Sequence, residues 1–393
     1  MKTIGIVAEY NPFHTGHAWH IQRTRQLFQE ETAVMAVMSG NWVQRGECAV
    51  AGKWARTEMA LAGGVDLVLE LPTVWATASA EGFARGAVSL LAATGVVDVL
   101  SFGSEGGEAA PLRTLAQCLN SPEFAAALRR ELGPKRSFAQ CRRQAAAHLL
   151  GEETAALLDL PNNNLGVEYL RFLPPDMEAV AVPRRGAGHD SAAEEDGFPS
   201  ASLLRRRLRA GKVTGVSPFL PLPWKGEAAD MTYLARALIA RLRSMTLEEA
   251  EALPDSGDGL AARLLFAARQ TASLEELYAL TKTRTYAHAR VRRLALYALL
   301  GLREADRPAA PLYIRVLGFN HRGQRLLKEM NGRASLPFFV KAAHIHDKTF
   351  CRFSSEAQAL FALEERFTDL YSLCFPTPRP SGLEWTSGPV IVK

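Results

Sequence analysis

The amino-acid sequence predicts an α/β fold in which a parallel sheet, covered by helices on both faces, is followed by a mostly helical second part. Four short and nearly continuous apolar runs occupy residues 4–8, 33–38, 65–71 and 96–102, and segments of helical pattern separate them. Such strands are typical of a parallel sheet buried between two helical layers. The chain has 393 residues, of which 48% are hydrophobic and 22% charged, so it can form a sizeable core and is not mainly disordered.

The helical patterns of the first half lie between these strands and continue beyond them. They cover residues 16–30, 54–62, 79–94, 137–149 and 165–172, and a further strand is expected at 179–182. A basic helix is predicted from Ser200, whose hydroxyl suits a helix N-cap, to Arg209. Residues 186–197, which precede it, are rich in Gly, Ala and acidic side chains and predict a loop.

A boundary between two domains is predicted near residues 217–223, which contain three prolines. In this prediction residues 1–216 form the α/β domain and residues 217–393 form a mostly helical domain. Helical patterns in the second part cover residues 231–243, 259–269, 274–280, 288–300 and 355–373. Two short apolar runs, at 313–319 and 336–340, interrupt them.

Several classes of protein are disfavoured by the same sequence. No apolar run reaches the roughly 18–20 residues that span a bilayer, and no apolar signal segment precedes the first strand, so we expect a cytoplasmic protein without a membrane partner. The five cysteines are scattered without a Cys-x-x-Cys pair, which favours reduced thiols over a disulfide framework or a zinc site. His344 and His346 have no evident third ligand, so we predict no metal site.

Charge is distributed unevenly along the chain. Residues 1–200 contain 17 basic and 23 acidic residues and carry a net charge of −6. Residues 201–393 contain 29 basic and 18 acidic residues and carry +11. A basic second half is expected either to bind a polyanion or to present an ordinary solvated surface, and charge alone does not separate the two.

One motif carries chemistry: His14-x-Gly16-His17, at the predicted turn from the first strand into the first helix. A helix N-terminus binds phosphate through its free backbone N–H groups and the positive end of its dipole. Gly16 permits close approach of a ligand to the backbone, and both histidines can donate hydrogen bonds to phosphate oxygens as charge develops there. The carboxyl end of a strand in an α/β sheet is also where ligands bind. The alternative is that His14 and His17 are surface or capping residues.

This motif in this position resembles the nucleotidylyltransferase superfamily, which shares its fold with class I aminoacyl-tRNA synthetases. The longer strings GIVAEYNPFHTGHAWH, MSGNWVQRGE and KWARTEMALAGGVDLVLELP resemble the bacterial tRNA(Met) cytidine acetate ligase family more specifically. Further matching segments are SFGSE at 101–105, PNNNLGVEYL at 161–170, RRGAGHD at 184–190, SASLLR at 200–205 and YIRVLGFN at 313–320. The resemblance covers almost the whole chain. It implies a Rossmann-like nucleotidylyltransferase (HUP-type) parallel sheet domain followed by a mostly α-helical domain.

The resemblance implies an ATP-dependent ligase. Acetate and ATP would form acetyl-adenylate and pyrophosphate, and the acetyl group would then pass to N4 of the wobble cytidine of elongator tRNA(Met) without acetyl-CoA. Acetate is a poor acyl donor, so adenylation supplies a leaving group, and the site must hold triphosphate and acetate in line. Mg²⁺ is expected to accompany the phosphates, although no protein ligand set for it is evident.

The resemblance also implies which residues bind ATP. His14 and His17 would act as the catalytic pair on the phosphates, within a loop that surrounds the nucleotide and comprises Val7, Ala8, Glu9, Tyr10, Asn11, Pro12, Phe13, His14, Thr15, Gly16, His17, Ala18, Trp19 and His20. The other expected nucleotide contacts are Gly103, Arg184, Arg185, Ser200 and Ser202, together with Asn162 or Asn163, one of which would hydrogen-bond the adenosine. The segment at 184–190 is one residue shorter than the family pattern, which leaves His189 without an assigned role.

Polar residues after the second strand are expected at the same edge of the sheet. The candidates for holding acetate or the tRNA end of the site are Ser39, Asn41, Gln44, Arg45 and Lys53. The alternative is that Arg45 and Glu47 form an ion pair within a loop.

Three groups of basic residues from position 205 onward are candidates for tRNA contacts. They are Arg205 with Arg206, Arg207 and Arg209; Lys282 and Arg284 with Arg290, Arg292 and Arg293; and Arg315 with Arg322, Arg325 and Lys328. Aromatic residues accompany the second and third groups, and basic side chains interleaved with rings suit RNA phosphates and exposed bases. A solvated helical face with core aromatics is the alternative explanation.

Two other functions stay open at this point. One is a ligase of the same superfamily that acetylates a cofactor thiol, as citrate lyase ligases do, although the basic second half favours tRNA. The other is an RNA-binding protein that uses its nucleotide pocket only as a sensor, which the intact His14 and His17 disfavour. Release of pyrophosphate distinguishes an enzyme from a binder.

Overall fold

Among the residues that the structure describes, the strands form one large sheet and two short antiparallel pairs. The computed structural model describes residues 1–133, 136–185, 194–195, 198–346 and 353–393. Within these ranges the strands are β1 (Lys2–Ala8), β2 (Thr32–Ser39), β3 (Trp42–Val43), β4 (Glu47–Cys48), β5 (Leu67–Leu71), β6 (Val99–Ser104), β7 (Glu178–Pro183), β8 (Glu194–Glu195), β9 (Phe198–Pro199), β10 (Ile314–Phe319), β11 (Phe338–Phe339) and β12 (Val390–Ile391). The large sheet has the order β11-β10-β5-β2-β1-β6-β7, and β12 pairs with β10.

The parallel part of this sheet confirms the predicted α/β fold. β5, β2, β1, β6 and β7 are neighbours and run in the same direction. β5 and β6 begin two or three residues later than the apolar runs at 65–71 and 96–102. Those runs include residues that approach the strand before pairing begins, which apolar patterning alone does not distinguish from the strand itself.

Both faces of the sheet are buried, as the continuous apolar strands indicated. Along β2, Ala33, Met35 and Val37 join the larger core cluster on one face. Val34, Ala36 and Met38 join a second cluster on the other face, where residues of the first two helices pack. Successive side chains of a strand point to opposite faces, so eight consecutive buried residues in β2 require a covering layer on each side.

The helices surround this sheet and form most of the second part. They are α1 (Thr15–Arg25), α2 (Lys53–Ala62), α3 (Thr73–Ala76), α4 (Ala80–Ala93), α5 (Ala109–Leu119), α6 (Pro122–Glu131), α7 (Phe138–Leu150), α8 (Glu152–Ala156), α9 (Pro161–Arg171), α10 (Ala201–Arg209), α11 (Ala235–Ser244), α12 (Leu247–Glu251), α13 (Leu260–Gln270), α14 (Leu274–Thr281), α15 (His288–Leu300), α16 (His321–Arg333), α17 (Ser355–Tyr371) and α18 (Leu383–Thr386). Among the longer helices, α5, α6 and α16 were not predicted. In α6 the buried residues are Phe124 and Ala127.

The sheet continues across the predicted boundary between residues 216 and 217. β10, which the sequence placed among the helices of the second part, pairs antiparallel with β5, and Arg315 lies opposite Glu70. β11 and β12 then pair parallel with β10. The boundary therefore does not separate the sheet from the helical part, because an edge strand from the second part completes the sheet of the first.

A buried cluster of four charged side chains joins the two parts at this junction. Lys53 Nζ lies 2.6 Å from Glu70 Oε1 and 2.5 Å from Glu384 Oε1. Arg315 Nη1 lies 3.1 Å from Glu70 Oε2 and also pairs with Glu384. The four side chains are at most 5% exposed. Burial disfavours the charged form of Glu384, but Lys53 and Arg315 outweigh it and hold the pKa of this carboxyl below its usual value.

Replacing Lys53 by methionine leaves Arg315 alone with the carboxylates of Glu70 and Glu384. We expect the free energy of unfolding to fall by about 3–5 kcal/mol, the usual cost of breaking a buried ion pair. Chemical denaturation followed by circular dichroism measures the change. The control is Arg241→Ala, which removes a partly exposed cation 3.4 Å from Glu249 and is expected to cost less than about 1 kcal/mol. Equal, small losses in both variants would contradict a stabilising role of the cluster.

Candidate active site

Two histidines form the N-terminal turn of α1. The Gly16 N–H donates to His14 Nδ1 at 3.0 Å, and the His14 N–H donates to His17 Nδ1 at 3.2 Å. Because each Nδ1 accepts a hydrogen bond, the proton of each neutral ring lies on Nε2. A Cβ on Gly16 would lie 2.8 Å from His14 Cε1, so this turn has no room for a side chain at that position. The histidines therefore cap the helix, as the alternative explanation held, and at the same time present Nε2–H donors.

A cavity of about 390 Å³ opens beside this turn, at the carboxyl ends of the central parallel strands. The predicted residues that line it are Val7, Ala8, Glu9, Tyr10, Asn11, His14, Gly16, His17, Trp19, His20, Gln44, Arg45, Gly103, Asn162, Arg184, Arg185, Ser200, Ser202 and Arg205. Distant stretches of the sequence thus meet at one opening. His189 lies outside the described residues.

Several apolar lining residues were not predicted. They are Ile6, Phe83, Phe102, Leu165, Tyr169 and Phe198. Pro161, Leu165 and Tyr169 follow one another at intervals of four residues and therefore share one face of α9. This spacing is visible in the sequence. Phe102 directly precedes Gly103 at the end of β6. These residues give the cavity an apolar wall, as sites for small molecules usually have.

Four residues of the expected nucleotide loop do not line the cavity: Pro12, Phe13, Thr15 and Ala18. Phe13 is fully buried, and its ring occupies the space where a Cβ on Gly63 would lie, 2.2 Å from Phe13 Cε1. Phe13 also packs against Tyr10 with ring centroids 4.8 Å apart. The side chain of Phe13 therefore supports the loop from the core and does not line the cavity.

Arg56, which the sequence analysis did not single out, holds the backbone of this loop from the interior of the protein. Its guanidinium donates to the carbonyl oxygen of Glu9 at 2.6 Å, to that of Ser39 at 3.1 Å and to that of Gly40. Glu9 and Gly40 directly follow β1 and β2, and Ser39 is the last residue of β2. Burial lowers the pKa of Arg56 to about 10, which leaves it charged at neutral pH. A fully buried arginine thus joins the ends of two adjacent strands at the cavity.

Glu9 is a carboxylate on the cavity wall. Its Oε1 accepts a hydrogen bond from the Gln44 N–H at 2.8 Å. Burial raises the pKa of Glu9, although the Gln44 hydrogen bond and the nearby charges of Arg205, Arg45 and Arg56 act in the opposite direction. Arg205 in turn donates to the carbonyl oxygen of Asn11 at 2.8 Å. α10, the β3–β4 hairpin and the end of β1 are therefore connected at this wall.

His20 lies one helical turn beyond His17 and is neutral at physiological pH. Its Nε2 is 3.0 Å from Ser101 Oγ, which also contacts Thr24 Oγ1 at 2.8 Å. Burial lowers the pKa of His20 to about 4. A ligand in the cavity therefore meets an uncharged ring at this position.

The pair Asn162 and Asn163 divides between the cavity and the core. Asn162 Nδ2 donates to Glu105 Oε1 at 2.7 Å, and the Asn163 N–H donates to Glu105 Oε2 at 2.8 Å, so Glu105 caps the start of α9. Asn163 is buried, and its Oδ1 accepts from the Glu105 N–H at 3.0 Å. Asn162 therefore lines the cavity, as expected of one of the two residues. Asn163 is buried and stabilises the start of α9, which corrects the expectation that it could contact the nucleotide.

Three candidates for the acetate or tRNA end, Ser39, Asn41 and Lys53, also lie outside the cavity. All are buried. Lys53 belongs to the ion cluster, and Asn41 Oδ1 accepts from the Lys53 N–H at 3.0 Å. Since these residues face the interior of the protein and not the cavity, the expectation that they contact substrate is corrected. Gln44 and Arg45 keep their place on the cavity wall.

The three basic groups separate into different environments. Arg290 bonds Asp258 and the carbonyl oxygens of Asp255 and Gly257, and buried Arg293 pairs with Asp255 at 3.3 Å. Arg293 is therefore held inside the protein by its partner, whereas Arg290 stays partly exposed and its contact with tRNA remains a prediction. Lys282 and Arg284 are exposed. Arg322 and Arg325 pair with Glu31, which precedes β2 and so lies at the amino ends of the strands, opposite the cavity.

Comparison with known proteins identifies the family. The sequence model described as HIGH Nucleotidyl Transferase matches residues 1–384. The tRNA(Met) cytidine acetate ligase of Caldanaerobacter subterraneus subsp. tengcongensis is 36% identical over 95% of this chain and 96% of that protein. The chain belongs to the tRNA(Met) cytidine acetate ligase family. The family resemblance inferred from the motifs is thus confirmed.

Solved structures of this family have the same fold over the whole chain. The crystal structure of apo Thermotoga maritima TmcAL matches with a TM-score of 0.93 and 31% identity, and it covers 100% of both chains. A second structure of the same protein, bound with alpha-thio ATP, matches with a TM-score of 0.89 and 30% identity over the same coverage. The relative from Acetivibrio thermocellus, also named tRNA(Met) cytidine acetate ligase, is 32% identical and aligns with 100% of this chain.

The distribution of metal-binding and apolar side chains bears on metals and membranes. Within the described residues, no three His, Cys, Asp or Glu side chains lie together as a metal site would need. No helix in the described part of the chain combines the length and apolar character needed to cross a bilayer.

Gly103 offers a test of the cavity as the family's nucleotide site. A Cβ at this position would meet only Arg184 Cγ, at an ordinary 3.5 Å, so Gly103→Ala fits the protein itself. We expect an unchanged melting temperature but ATP affinity weakened by about tenfold or more, because the methyl group occupies space at the cavity wall. Calorimetric titration with ATP measures this. Unaltered affinity would place the nucleotide away from the end of β6.

Proposed function

We propose that this chain activates acetate with ATP and transfers the acetyl group to N4 of the wobble cytidine of elongator tRNA(Met). The observation that carries the proposal is the capped N-terminus of α1 beside the cavity, where the hydrogen bonds of His14 and His17 place the proton of each neutral ring on Nε2. The relatives named tRNA(Met) cytidine acetate ligase supply the identity of the acid and the acceptor.

The reaction divides into two balanced steps. An acetate oxygen attacks the α-phosphorus of ATP, a P–O bond forms, and pyrophosphate leaves with the electron pair of the bond that breaks. The cytidine N4 then attacks the acetyl carbonyl, a C–N bond forms, and AMP leaves while N4 loses a proton. Both steps develop negative charge on phosphate oxygens, which fixed donors stabilise without reorganisation.

The polar groups of the cavity are suited to ATP. The N-termini of α1 and α10 both line it, the first through His14, Gly16 and His17 and the second through Ser200 and Ser202. Two helix N-termini with these donors support a site for the phosphates. The wall formed by Gly103, Asn162 and Arg184 supports a site for adenosine, and the T. maritima relative was crystallised with an ATP analogue.

Mg²⁺ remains part of the proposal as a companion of the triphosphate. The described residues provide no cluster of protein ligands for a metal. Magnesium usually keeps several waters and is held largely by substrate phosphates, so few protein ligands are needed. A cytoplasmic location likewise stays a prediction.

The surface around the start of α15 supports a tRNA site. The β3–β4 hairpin, whose Gln44 and Arg45 line the cavity, touches α15 so closely that a Cβ on Gly46 would lie 2.5 Å from the Arg293 backbone nitrogen. The charges of Lys282 and Glu47 both act on the pKa of His288, so the exposed loop before α15 lies near this hairpin. Exposed cations near this hairpin suit the phosphates of an anticodon loop.

The direct test is transfer of isotopically labelled acetate to purified tRNA with ATP and without CoA, analysed as acetylated nucleoside by mass spectrometry. We expect label on cytidine together with acetate-dependent release of pyrophosphate. Pyrophosphate without labelled tRNA would keep the adenylation step and move the acceptor to a thiol. If neither product formed, a nucleotide-sensing RNA-binding protein would become the better explanation.

His14→Ala and His17→Ala link this activity to the capped turn. Each is expected to lower acetate-dependent pyrophosphate release by about 100-fold or more, the usual effect of removing one donor to a developing oxyanion. tRNA binding, measured by filter retention, should persist. The control is His344→Ala, which removes an exposed histidine from a different part of the fold. Unchanged turnover in the first two variants would remove their catalytic assignment.

Lys282→Ala combined with Arg284→Ala tests the tRNA surface. We expect weaker tRNA binding and unchanged pyrophosphate release. The slope of the logarithm of the binding constant against the logarithm of the salt concentration should become shallower by about 0.7–0.9 for each tRNA phosphate that the variant no longer neutralises. Filter binding at several salt concentrations measures both the affinity and its salt dependence. Arg322→Ala combined with Arg325→Ala is the matched control, since it removes the same charge from the opposite edge of the sheet. Equal losses of affinity in the two double variants would indicate a non-specific effect of net charge.

A further inference from the structure

The second step of the proposed reaction needs a group that accepts a proton. When N4 attacks the acetyl carbonyl, the nitrogen becomes positively charged and must lose a proton before AMP departs cleanly. General bases in proteins are acceptors within hydrogen-bond reach of that proton. Such a base must therefore lie on the cavity wall and have an acceptor atom that can face the substrate.

The three histidines of the cavity already take part in hydrogen bonds within the protein. Nδ1 of His14 and Nδ1 of His17 each accept a backbone N–H, so their Nε2 atoms carry protons and act as donors. His20 Nε2 contacts the hydroxyl of Ser101 at 3.0 Å. Burial also keeps the pKa of His20 at about 4, which makes it a weak base. None of the three rings suits the role.

Glu9 is the one carboxylate among the described residues that line the cavity. Its Oε1 accepts from the Gln44 N–H at 2.8 Å, whereas its Oε2 has no hydrogen-bond partner within the described part of the chain. It follows directly after β1, so the strand and the Arg56 bond to its carbonyl oxygen hold its backbone. Glu9 therefore presents one fixed and one available oxygen.

We propose that Glu9 is the general base of the acetyl transfer: its Oε2 accepts a hydrogen bond from the cytidine N4 amine and takes the N4 proton as the C–N bond forms. The C–O bond to the phosphate breaks in the same step, AMP leaves with its electron pair, and Glu9 ends protonated. This inference rests on the proposed function, because it assumes that a cytidine amine is the acceptor.

The same contact would distinguish cytosine from uracil. Cytosine has an N–H₂ donor at position 4, and carboxylates accept from it. Uracil has a carbonyl oxygen there, which a carboxylate repels. Gln44 and Arg45, on the hairpin that donates to Glu9, supply side-chain donors that suit the acceptor atoms of cytosine. The unpaired wobble base can enter such a pocket without melting a helix.

The charged and titratable groups around Glu9 come from four elements. Arg45 belongs to the β3–β4 hairpin, Arg56 to α2, Arg205 to α10 and Tyr169 to α9. The arginines favour the carboxylate, but burial is the larger effect and raises its pKa. A base whose pKa is raised toward the working pH is a stronger proton acceptor, and it still ionises as pH rises through that pKa.

Glu9→Gln keeps an acceptor for the Gln44 N–H and removes the base. We expect the ratio of acetyl transfer to pyrophosphate release to fall by about 100-fold or more, within the usual range for a lost general base. Single-turnover transfer from preformed acetyl-adenylate to tRNA measures the second step. Glu9→Asp should restore part of it. Glu47→Gln is the control, since that carboxylate lies on the same hairpin and pairs with Arg292 outside the cavity.

The pH profile separates a base from a residue that only positions others. In the unaltered protein, single-turnover transfer should rise with pH through the ionisation of Glu9, and Glu9→Gln should lose this rise. If transfer and pyrophosphate release fell by the same factor in Glu9→Gln, or if the pH profile were unchanged, the inference would be overturned and the proposed function would stand. If the unaltered protein formed acetyl-adenylate but acetylated no cytidine, the proposed function itself would fail.

Discussion

The ion cluster of Lys53, Glu70, Arg315 and Glu384 is the constraint on which the rest of the structure depends. A buried charge that loses its partner costs several kcal/mol, so no member can leave the cluster alone. The register of β10 on β5 places Arg315 opposite Glu70, and α2 and the C-terminal segment must approach to complete the set. The four elements therefore assemble together, and the two parts of the chain share one sheet.

The cavity depends on this cluster through the β3–β4 hairpin. Asn41, just before the hairpin, accepts a hydrogen bond from the Lys53 N–H, and Trp42 Nε1–H donates at 3.0 Å to a backbone carbonyl of α17. The hairpin is thus anchored by residues from both parts of the chain, and Gln44 and Arg45 reach the cavity from it. Asn41 and Lys53 contribute to the site by supporting the hairpin that forms this wall, although neither residue lines the cavity.

The sequence predicts the β1–α1 turn well because all its signals are local: an apolar strand, a glycine and two histidines at a helix start. β10 is recognisable as an apolar run, but its antiparallel partner β5 lies far away in the sequence, and no local signal indicates that pairing. Burial is equally invisible. Lysine is usually a surface residue, and nothing local in the sequence indicates that Lys53 is buried. A count of charges likewise includes Arg290 whether or not Asp258 pairs with it.

The walls of the cavity differ in whether they offer hydrogen-bond donors or acceptors. Backbone N–H groups occupy Nδ1 of His14 and His17, so one wall offers donors, which suit a polyanion. Glu9 offers an acceptor on the same cavity, beside the positive charges of Arg45, Arg56 and Arg205. In the proposed reaction, the donors at the start of α1 face the ATP phosphates, and the carboxylate of Glu9 is left for a ligand that carries N–H donors. A single cavity with both walls can hold an acyl phosphate and a base amine in sequence, which is what adenylation followed by transfer requires.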